Sequence, residues 1–185
     1  MGLSKAICVF CASSELVNQE YTQCAALMGR LIGERGHTLV FGGGMTGLMG
    51  TVARAVHEHG GRVVGVIPER LDKPGVTYTP CDELIVTHSM RERKAEMDNR
   101  SEAFIALPGG FGTLEEVIEH LALKQLGYHE SPIVFVNTLG AYDHLMTYFN
   151  HLVEQRLLKE EHCNLYHLAQ TPEDAMRHVE EHDYS

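Results

Sequence analysis

Apolar residues in this chain form short uninterrupted runs that alternate with longer stretches in which they recur every third or fourth position. Short apolar runs are typical of strands buried on both faces of a parallel sheet, and the longer pattern is typical of helices that cover such a sheet. The runs predict strands over residues 6–12, 37–41, 63–67, 84–87, 103–107 and 132–136. The helical spacing predicts helices over residues 19–34, 48–59, 89–100, 142–155 and 172–182, and one that begins near residue 113. This alternation predicts an α/β fold, a Rossmann-like doubly wound parallel sheet in a single domain over residues 1–185.

Composition narrows the classes of function. A net charge of −10 in 185 residues disfavours binding to nucleic acid or to an anionic membrane, because both require a basic surface. No apolar stretch approaches the roughly 20 residues that a membrane helix needs, and the first residues lack the architecture of a secretory leader. We therefore expect a cytoplasmic protein with no nucleic-acid or membrane partner.

The five cysteines and twelve histidines give little support to a metal site. Cys8 and Cys11 form a lone C-x-x-C inside a predicted strand, where residues three apart point to opposite faces. No second pair completes a zinc site. His57 and His59, two apart in a predicted helix, do not face one way. We expect structural cysteines, no metal and no cofactor.

The most specific motif is the sequence Leu-Pro-Gly-Gly-Phe-Gly-Thr-Leu-Glu-Glu at residues 107–116. It joins a buried strand to a helix through glycines that allow a ligand to approach the backbone. Free N–H groups and the positive end of the helix dipole make such a junction an anion site, above all for phosphate. Thr113 and Glu116 also fit a capping box, with Thr113 as the N-cap and Glu116 at N3. Glu116 is therefore a candidate both for capping and for catalysis on a phosphorylated small molecule.

A second glycine-rich segment follows the second predicted strand. Gly42, Gly44 and Gly47 fit the G-x-G-x-x-G pattern of dinucleotide sites, although that pattern normally follows the first strand. Three interpretations remain open: a tight turn that lets helix and strand pack closely, a phosphate- or sugar-binding edge, and a site for an NAD-type cofactor.

The predicted helix over residues 89–100 carries two cations between two methionines. Met90, Arg93, Lys94 and Met97 are spaced i, i+3, i+4 and i+7, which is the face that a helix normally buries. One interpretation is that this face lines a site that supplies positive charge to a phosphate. The other is a solvated helix whose charges pair with neighbouring glutamates.

Three stretches together closely resemble the LOG ("Lonely Guy") family: Gly42–Gly44, residues 93–97 and residues 108–116. Members of that family are cytokinin riboside 5′-monophosphate phosphoribohydrolases, formerly labelled possible lysine decarboxylases. The resemblance extends from the first predicted strand to about Gln155. It implies a Rossmann-like homodimer that hydrolyses the N-glycosidic bond of a purine nucleoside 5′-monophosphate, releasing free base and ribose 5-phosphate.

The resemblance also assigns roles to individual residues. It implies that Arg93 and Glu116 are catalytic, that residues 109–113 form the phosphate loop and that Glu115 lines the site, with a family acid at or beside Glu69. The residues that we predict to bind substrate are Gly43, Gly44, Glu69, Met90, Lys94, Gly109, Gly110, Phe111, Gly112, Thr113 and Glu115.

Two questions stay open at the level of sequence. Many plant members of the family have Thr-Trp where this chain has Ala122-Leu123, which leaves the base open between a prenylated and a plain adenine. The alternative function is a non-catalytic carrier of a nucleotide or of the molybdenum cofactor, since similar proteins on this fold bind such ligands without turnover. An NAD-dependent enzyme is the third possibility.

Overall fold

The computed structural model describes residues 4–182. Its strands are β1 (Ala6–Phe10), β2 (Thr38–Phe41), β3 (Arg62–Pro68), β4 (Glu83–Thr87), β5 (Ala103–Ala106), β6 (Ile133–Val136) and β7 (His167–Ala169). Its α-helices are α1 (Gln19–Glu34), α2 (Gly47–Glu58), α3 (Met90–Asn99), α4 (Phe111–Gln125), α5 (Asp143–Glu154) and α6 (Pro172–Glu181). Short 3₁₀ helices cover Thr138–Gly140 and Glu160–Asn164.

All seven strands form one parallel sheet in the order β4-β3-β2-β1-β5-β6-β7. Chain order runs outward in both directions from β1, so the order reverses between β1 and β5. Ligands of such folds bind at the carboxyl ends of the strands beside that reversal. A ligand site is therefore expected where the chain leaves β1 and β5.

Helices cover both faces of the sheet, as predicted. Buried side chains of α1, α2 and α6 form one hydrophobic cluster, and those of α3, α4 and α5 pack into the other. Cys8 belongs to the second cluster and Cys11 to the first, so the two cysteines lie on opposite faces and form no disulfide. Among residues 4–182, no helix has both the length and the apolar character needed to cross a bilayer.

The structure differs from the sequence-based predictions at two places. Strand β7 was not predicted, because its three residues are too few to form a recognisable pattern. Helix α4 begins at Phe111 with Gly110 as its N-cap, so the prediction that Thr113 caps this helix is wrong. Gly110 takes the extended N-cap conformation and leaves Thr113 at the third helical position. The capping role predicted for Glu116 is also wrong, because this side chain lies a full turn further along the helix.

Candidate active site

A cavity of about 380 Å³ opens at the carboxyl edge of β1 and β5, where the strand order reverses. Its volume lies within the range of small-molecule sites. The residues lining it are Cys11, Ala12, Ser13, Ser14, Met49, Leu71, Met90, Arg93, Gly110, Phe111, Gly112, Thr113, Glu115 and Glu116. Five separate segments of the chain thus meet around one space: the end of β1, the start of α2, the segment after β3, the start of α3 and the start of α4.

The N-terminus of α4 presents backbone donors to this cavity. The first bond inside the helix runs from the Leu114 N–H to the Gly110 carbonyl at 3.0 Å. By helix geometry, the N–H groups of Phe111, Gly112 and Thr113 precede that bond and have no acceptor in the helix. The helix dipole adds partial positive charge at the same point. These amides make a ready site for a phosphate group.

The three glycines of this turn differ in whether packing within the protein requires them. A Cβ built on Gly109 would overlap the side chain of Thr113, so packing within the protein requires glycine there. At Gly110 and Gly112 an added Cβ would meet no protein atom within 4 Å. The space in front of Gly110 and Gly112 is therefore open to a ligand.

A buried ion pair forms one wall of the cavity. Arg93 Nη1 donates to Glu116 Oε1 at 2.7 Å, and the two side chains are only 6% and 7% exposed. Arg93 Nε also donates to the carbonyl of Val66 on β3 at 3.1 Å. The guanidinium is thus held between a strand and helix α4, and it fixes the position of the Glu116 carboxylate.

Burial gives Glu116 unusual acid–base properties. Loss of water raises the pKa of its carboxyl above the ordinary value, while Arg93 opposes that rise by stabilising the anion. Glu116 is consequently a stronger base than an exposed glutamate. A buried carboxyl with a shifted pKa, a fixed partner and access to a cavity is typical of a functional group.

The glycine-rich segment after β2 supports this arrangement through close contacts. Gly42 packs against the Arg93 guanidinium, where a Cβ would overlap Nη2. Gly47, with φ +57°, packs against the backbone of Ser13 and Ser14 and so joins α2 to the end of β1. Of the three interpretations of this segment, the tight turn accounts for Gly42 and Gly47 by packing alone.

Two further groups belong to this region: Tyr142, which contacts the end of β5, and Cys11, which lines the cavity. The Tyr142 hydroxyl donates to the Leu107 carbonyl at 2.6 Å and so fixes the end of β5 just before the glycine turn. Burial, together with the nearby Glu116 carboxylate, raises the pKa of the Cys11 thiol far above its ordinary value. Cys11 therefore remains a neutral thiol, which is a poor nucleophile.

Comparison with known proteins identifies the family. The family model described as possible lysine decarboxylase matches residues 49–179. Cytokinin riboside 5′-monophosphate phosphoribohydrolase LOG5 of Arabidopsis thaliana is 40% identical over 176 residues, which cover 95% of this chain and 77% of LOG5. The probable phosphoribohydrolase LOGL9 of Oryza sativa subsp. japonica is 43% identical over 176 residues, covering 95% of this chain and 78% of LOGL9. The chain belongs to the LOG family.

Solved structures support the fold. The molybdenum cofactor carrier protein of Chlamydomonas reinhardtii superposes with a TM-score of 0.71 at 22% identity, over 95% of each chain. The molybdenum cofactor binding protein of Rippkaea orientalis gives a TM-score of 0.70 at 22% identity, over 95% of this chain and 94% of that one. At such identities the likeness of this LOG chain to the carriers concerns the fold alone.

The cavity of this LOG-family chain brings together most of the residues predicted from its sequence. Those that line it are Met90, Arg93, Gly110, Phe111, Gly112, Thr113, Glu115 and Glu116, with Gly109 directly adjacent in the turn. Gly43, Gly44, Glu69 and Lys94 are not among the lining residues. Lys94 Nζ instead pairs with Glu115 and with Glu119, the latter at 2.7 Å. Glu69 Oε1 lies 2.8 Å from His88 Nδ1 at the surface.

Six lining residues were not predicted: Cys11, Ala12, Ser13, Ser14, Met49 and Leu71. Residues 11–14 could have been found, because they leave the first strand at the same edge of the sheet as the glycine turn. Met49 and Leu71 carry no comparable signal. Their position depends on how α2 and the segment after β3 fold over the cavity.

Proposed function

We propose that this protein hydrolyses the N-glycosidic bond of a purine nucleoside 5′-monophosphate, giving the free base and ribose 5-phosphate. The observation that carries the proposal is the buried Arg93–Glu116 pair beside the free amides of helix α4, in one cavity. An anion site next to an acid of raised pKa suits a substrate that carries a phosphate near its reacting bond. The relatives named as phosphoribohydrolases favour the same reaction.

In this proposal the 5′-phosphate anchors the substrate, and the reaction takes place at the sugar. The amides of Phe111, Gly112 and Thr113 bind the 5′-phosphate in the cavity that Ser13 and Ser14 also line. Binding energy from this remote group positions the C1′–N9 bond against Glu116. Gly110 and Gly112 leave room for the phosphate to approach the backbone.

Glu116 acts on the charge that develops at the ribose. As the C1′–N9 bond breaks, positive charge builds on the sugar ring, as in other glycoside hydrolyses. The Glu116 carboxylate stabilises that cation and orients a water molecule, whose oxygen bonds to C1′. The proton that the water loses goes to the departing base. Arg93 keeps Glu116 ionised and in place through the 2.7 Å bond.

Release of free base is the direct test. The protein is incubated with AMP and, separately, with a cytokinin riboside 5′-monophosphate, and the free base is measured by chromatography. We expect release by the wild type and a loss of about 10²–10³-fold in Glu116→Gln, the usual cost of removing one charge-stabilising group. The relative rates with the two substrates also decide which base is preferred.

Glu119→Gln is the matched control. Glu119 lies on the same helix and pairs with Lys94, but it does not line the cavity. This variant should retain most of its turnover. Undiminished base release by a folded Glu116→Gln protein would exclude the proposed role of Glu116. Tight binding of AMP with no base release by the wild type would favour the carrier instead.

We also propose that the protein is a cytoplasmic homodimer, as the resemblance to the family implies. Exposed apolar side chains on and after α4 and α5, among them Ile118, Leu126 and Leu157, would be covered by a second copy. Light scattering during gel filtration measures the oligomeric state directly. A mass of 20.6 kDa would identify a monomer and exclude the dimer.

A further inference from the structure

A second and larger cavity, of about 690 Å³, lies outside the site described above. It opens between helix α2 and the segment of residues 72–80 that connects β3 to β4. The residues lining it are Met45, Arg54, Asp72, Lys73, Pro74, Gly75, Thr77, Tyr78, Thr79 and Pro80. None of these residues lines the nucleotide cavity, so the two spaces have separate walls.

Two cations and one carboxylate line this cavity, so its wall is net positive. Arg54 and Lys73 line it, and within residues 4–182 neither forms an ion pair with a carboxylate. Asp72 also lines the cavity and keeps its negative charge, with its Oδ1 accepting a hydrogen bond from the Thr77 hydroxyl at 2.7 Å. The two cations outnumber the single carboxylate on this wall, although the chain as a whole has a net charge of −10. They attract an anion to this face of the molecule.

One of these cations is already oriented. Arg54 Nη1 donates to the carbonyl of Met45 at 3.1 Å, which restrains this exposed side chain, and its other N–H groups make no hydrogen bond within residues 4–182. Arginine in a fixed orientation binds phosphate or carboxylate through paired hydrogen bonds, and less side-chain freedom is lost on binding. The apolar walls at Met45, Pro74 and Pro80 are suited to the body of a small organic molecule.

The backbone that forms the cavity is tied to the sheet. The Tyr78 N–H donates to the Gly43 carbonyl at 2.8 Å, and the Met45 N–H donates to the Val76 carbonyl at 2.8 Å. Gly44 and Thr77 form an antiparallel bridge between these two bonds. Residues 76–78 are thereby fixed against the glycine-rich segment, so this part of the cavity is preformed, as small-molecule sites usually are.

We infer that this cavity is a second anion-binding site, which takes a phosphorylated small molecule through Arg54 and Lys73. The same connecting segment carries Leu71 into the wall of the nucleotide cavity, one residue before Asp72. Occupancy of the second site therefore bears on the backbone that shapes the first. The inference goes beyond the proposed hydrolysis and does not depend on it.

Methionine methyl groups provide a reporter for each cavity. Met45 lines the second site, whereas Met90 lines the nucleotide cavity. The full chain is labelled with ¹³C at its methionine methyls, assigned by Met→Leu substitutions, and titrated by NMR with inorganic pyrophosphate and separately with AMP. We expect a saturable shift of the Met45 methyl with pyrophosphate. A Met45 methyl that does not respond to pyrophosphate overturns the inference.

Charge substitutions locate the binding. Arg54→Gln/Lys73→Gln should weaken the Met45 response to pyrophosphate by tenfold or more and leave the Met90 response to AMP unchanged. Arg30→Gln/Lys159→Gln removes the same charge from exposed ion pairs elsewhere and should leave both responses unchanged. If both double variants weaken the Met45 response equally, the response depends only on the net charge of the protein, and the inference is overturned. A Met90 methyl that ignores AMP would count against the proposed function alone.

Discussion

The guanidinium of Arg93 occupies the space that a side chain at Gly42 would require. A Cβ built on Gly42 would overlap Arg93 Nη2, while Nε and Nη1 of the same group are bonded to Val66 and Glu116. The absence of a side chain after β2 thus decides where the proposed catalytic pair sits. Gly42 acts through Arg93 and is a positioning residue.

Gly42→Ala should therefore impair turnover more than binding. The added methyl displaces the guanidinium, and displacements of about 1 Å in an active site cost roughly 10²-fold. We expect kcat for base release to fall by at least tenfold with little change in KM, because the phosphate amides lie on another segment. Steady-state kinetics with AMP measures both. A folded Gly42→Ala protein with the wild-type kcat would show that Arg93 is not positioned in this way.

Gly112→Ala should separate stability from binding. Gly112 is inside α4 and an added Cβ meets no protein atom, so alanine should stabilise the helix by up to about 1 kcal/mol. The same methyl projects into the space proposed for the 5′-phosphate, so KM for AMP should rise about tenfold or more. Thermal unfolding and kinetics test the two effects. An unchanged KM together with a raised melting temperature would show that the 5′-phosphate does not bind at this turn.

Arg93→Ala should destabilise the protein in a pH-dependent manner. Removing the cation leaves Glu116 as a buried, unpaired carboxylate, a change that costs about 3–5 kcal/mol when the group stays charged. Its pKa then lies further above the unfolded value, so stability is lost as pH rises through the folded pKa. Urea unfolding should show a larger deficit at pH 8 than at pH 5. The double variant Arg93→Ala/Glu116→Gln should lose that pH dependence. If the pH dependence of stability persists in the double variant, it arises from a group other than Glu116.

His120 should make the fold sensitive to acid. This side chain is buried against Phe104, with ring centroids 3.8 Å apart, and burial lowers the pKa of His120 to about 4. The unfolded chain binds a proton near pH 6.5 and the folded chain does not, so stability falls as pH drops from 6.5 towards 4. At pH 5 this difference in proton binding lowers the free energy of unfolding by about 2 kcal/mol.

His120→Phe, which keeps an aromatic ring in this position, should therefore lose less stability than the wild type between pH 7 and pH 5. Urea unfolding at both values measures the difference. His88→Gln alters an exposed histidine and should behave as the wild type. Equal acid losses in the His120→Phe variant and the wild type would contradict the assignment.

Sequence reasoning reached the sheet and the central pair of the candidate site because both leave local patterns. Alternating apolar runs predicted every strand except β7, and the glycine turn identified Glu116. The error at Thr113 arose because threonine is ordinarily a better cap than glycine, so the sequence favoured the later start of α4. Only the structure shows that Gly110 already has the extended conformation of an N-cap.

What could not be predicted depends on contacts between distant segments. The packing of Gly42 against Arg93 requires β2 and β3 to lie side by side with α3 above them, which no local pattern encodes. The same holds for Leu71, which reaches the cavity only through the fold of the segment after β3.

Pairing between β1 and β5 has a consequence for how the molecule would fail. Cys8 lies opposite Phe104 in that pairing, and this seam joins the half of the chain that holds Arg93 to the half that holds Glu116. Because each half holds only one member of the Arg93–Glu116 pair, separation of β1 from β5 abolishes the proposed chemistry while most helices are still intact. During unfolding, base release is therefore lost before the circular dichroism signal of the helices declines.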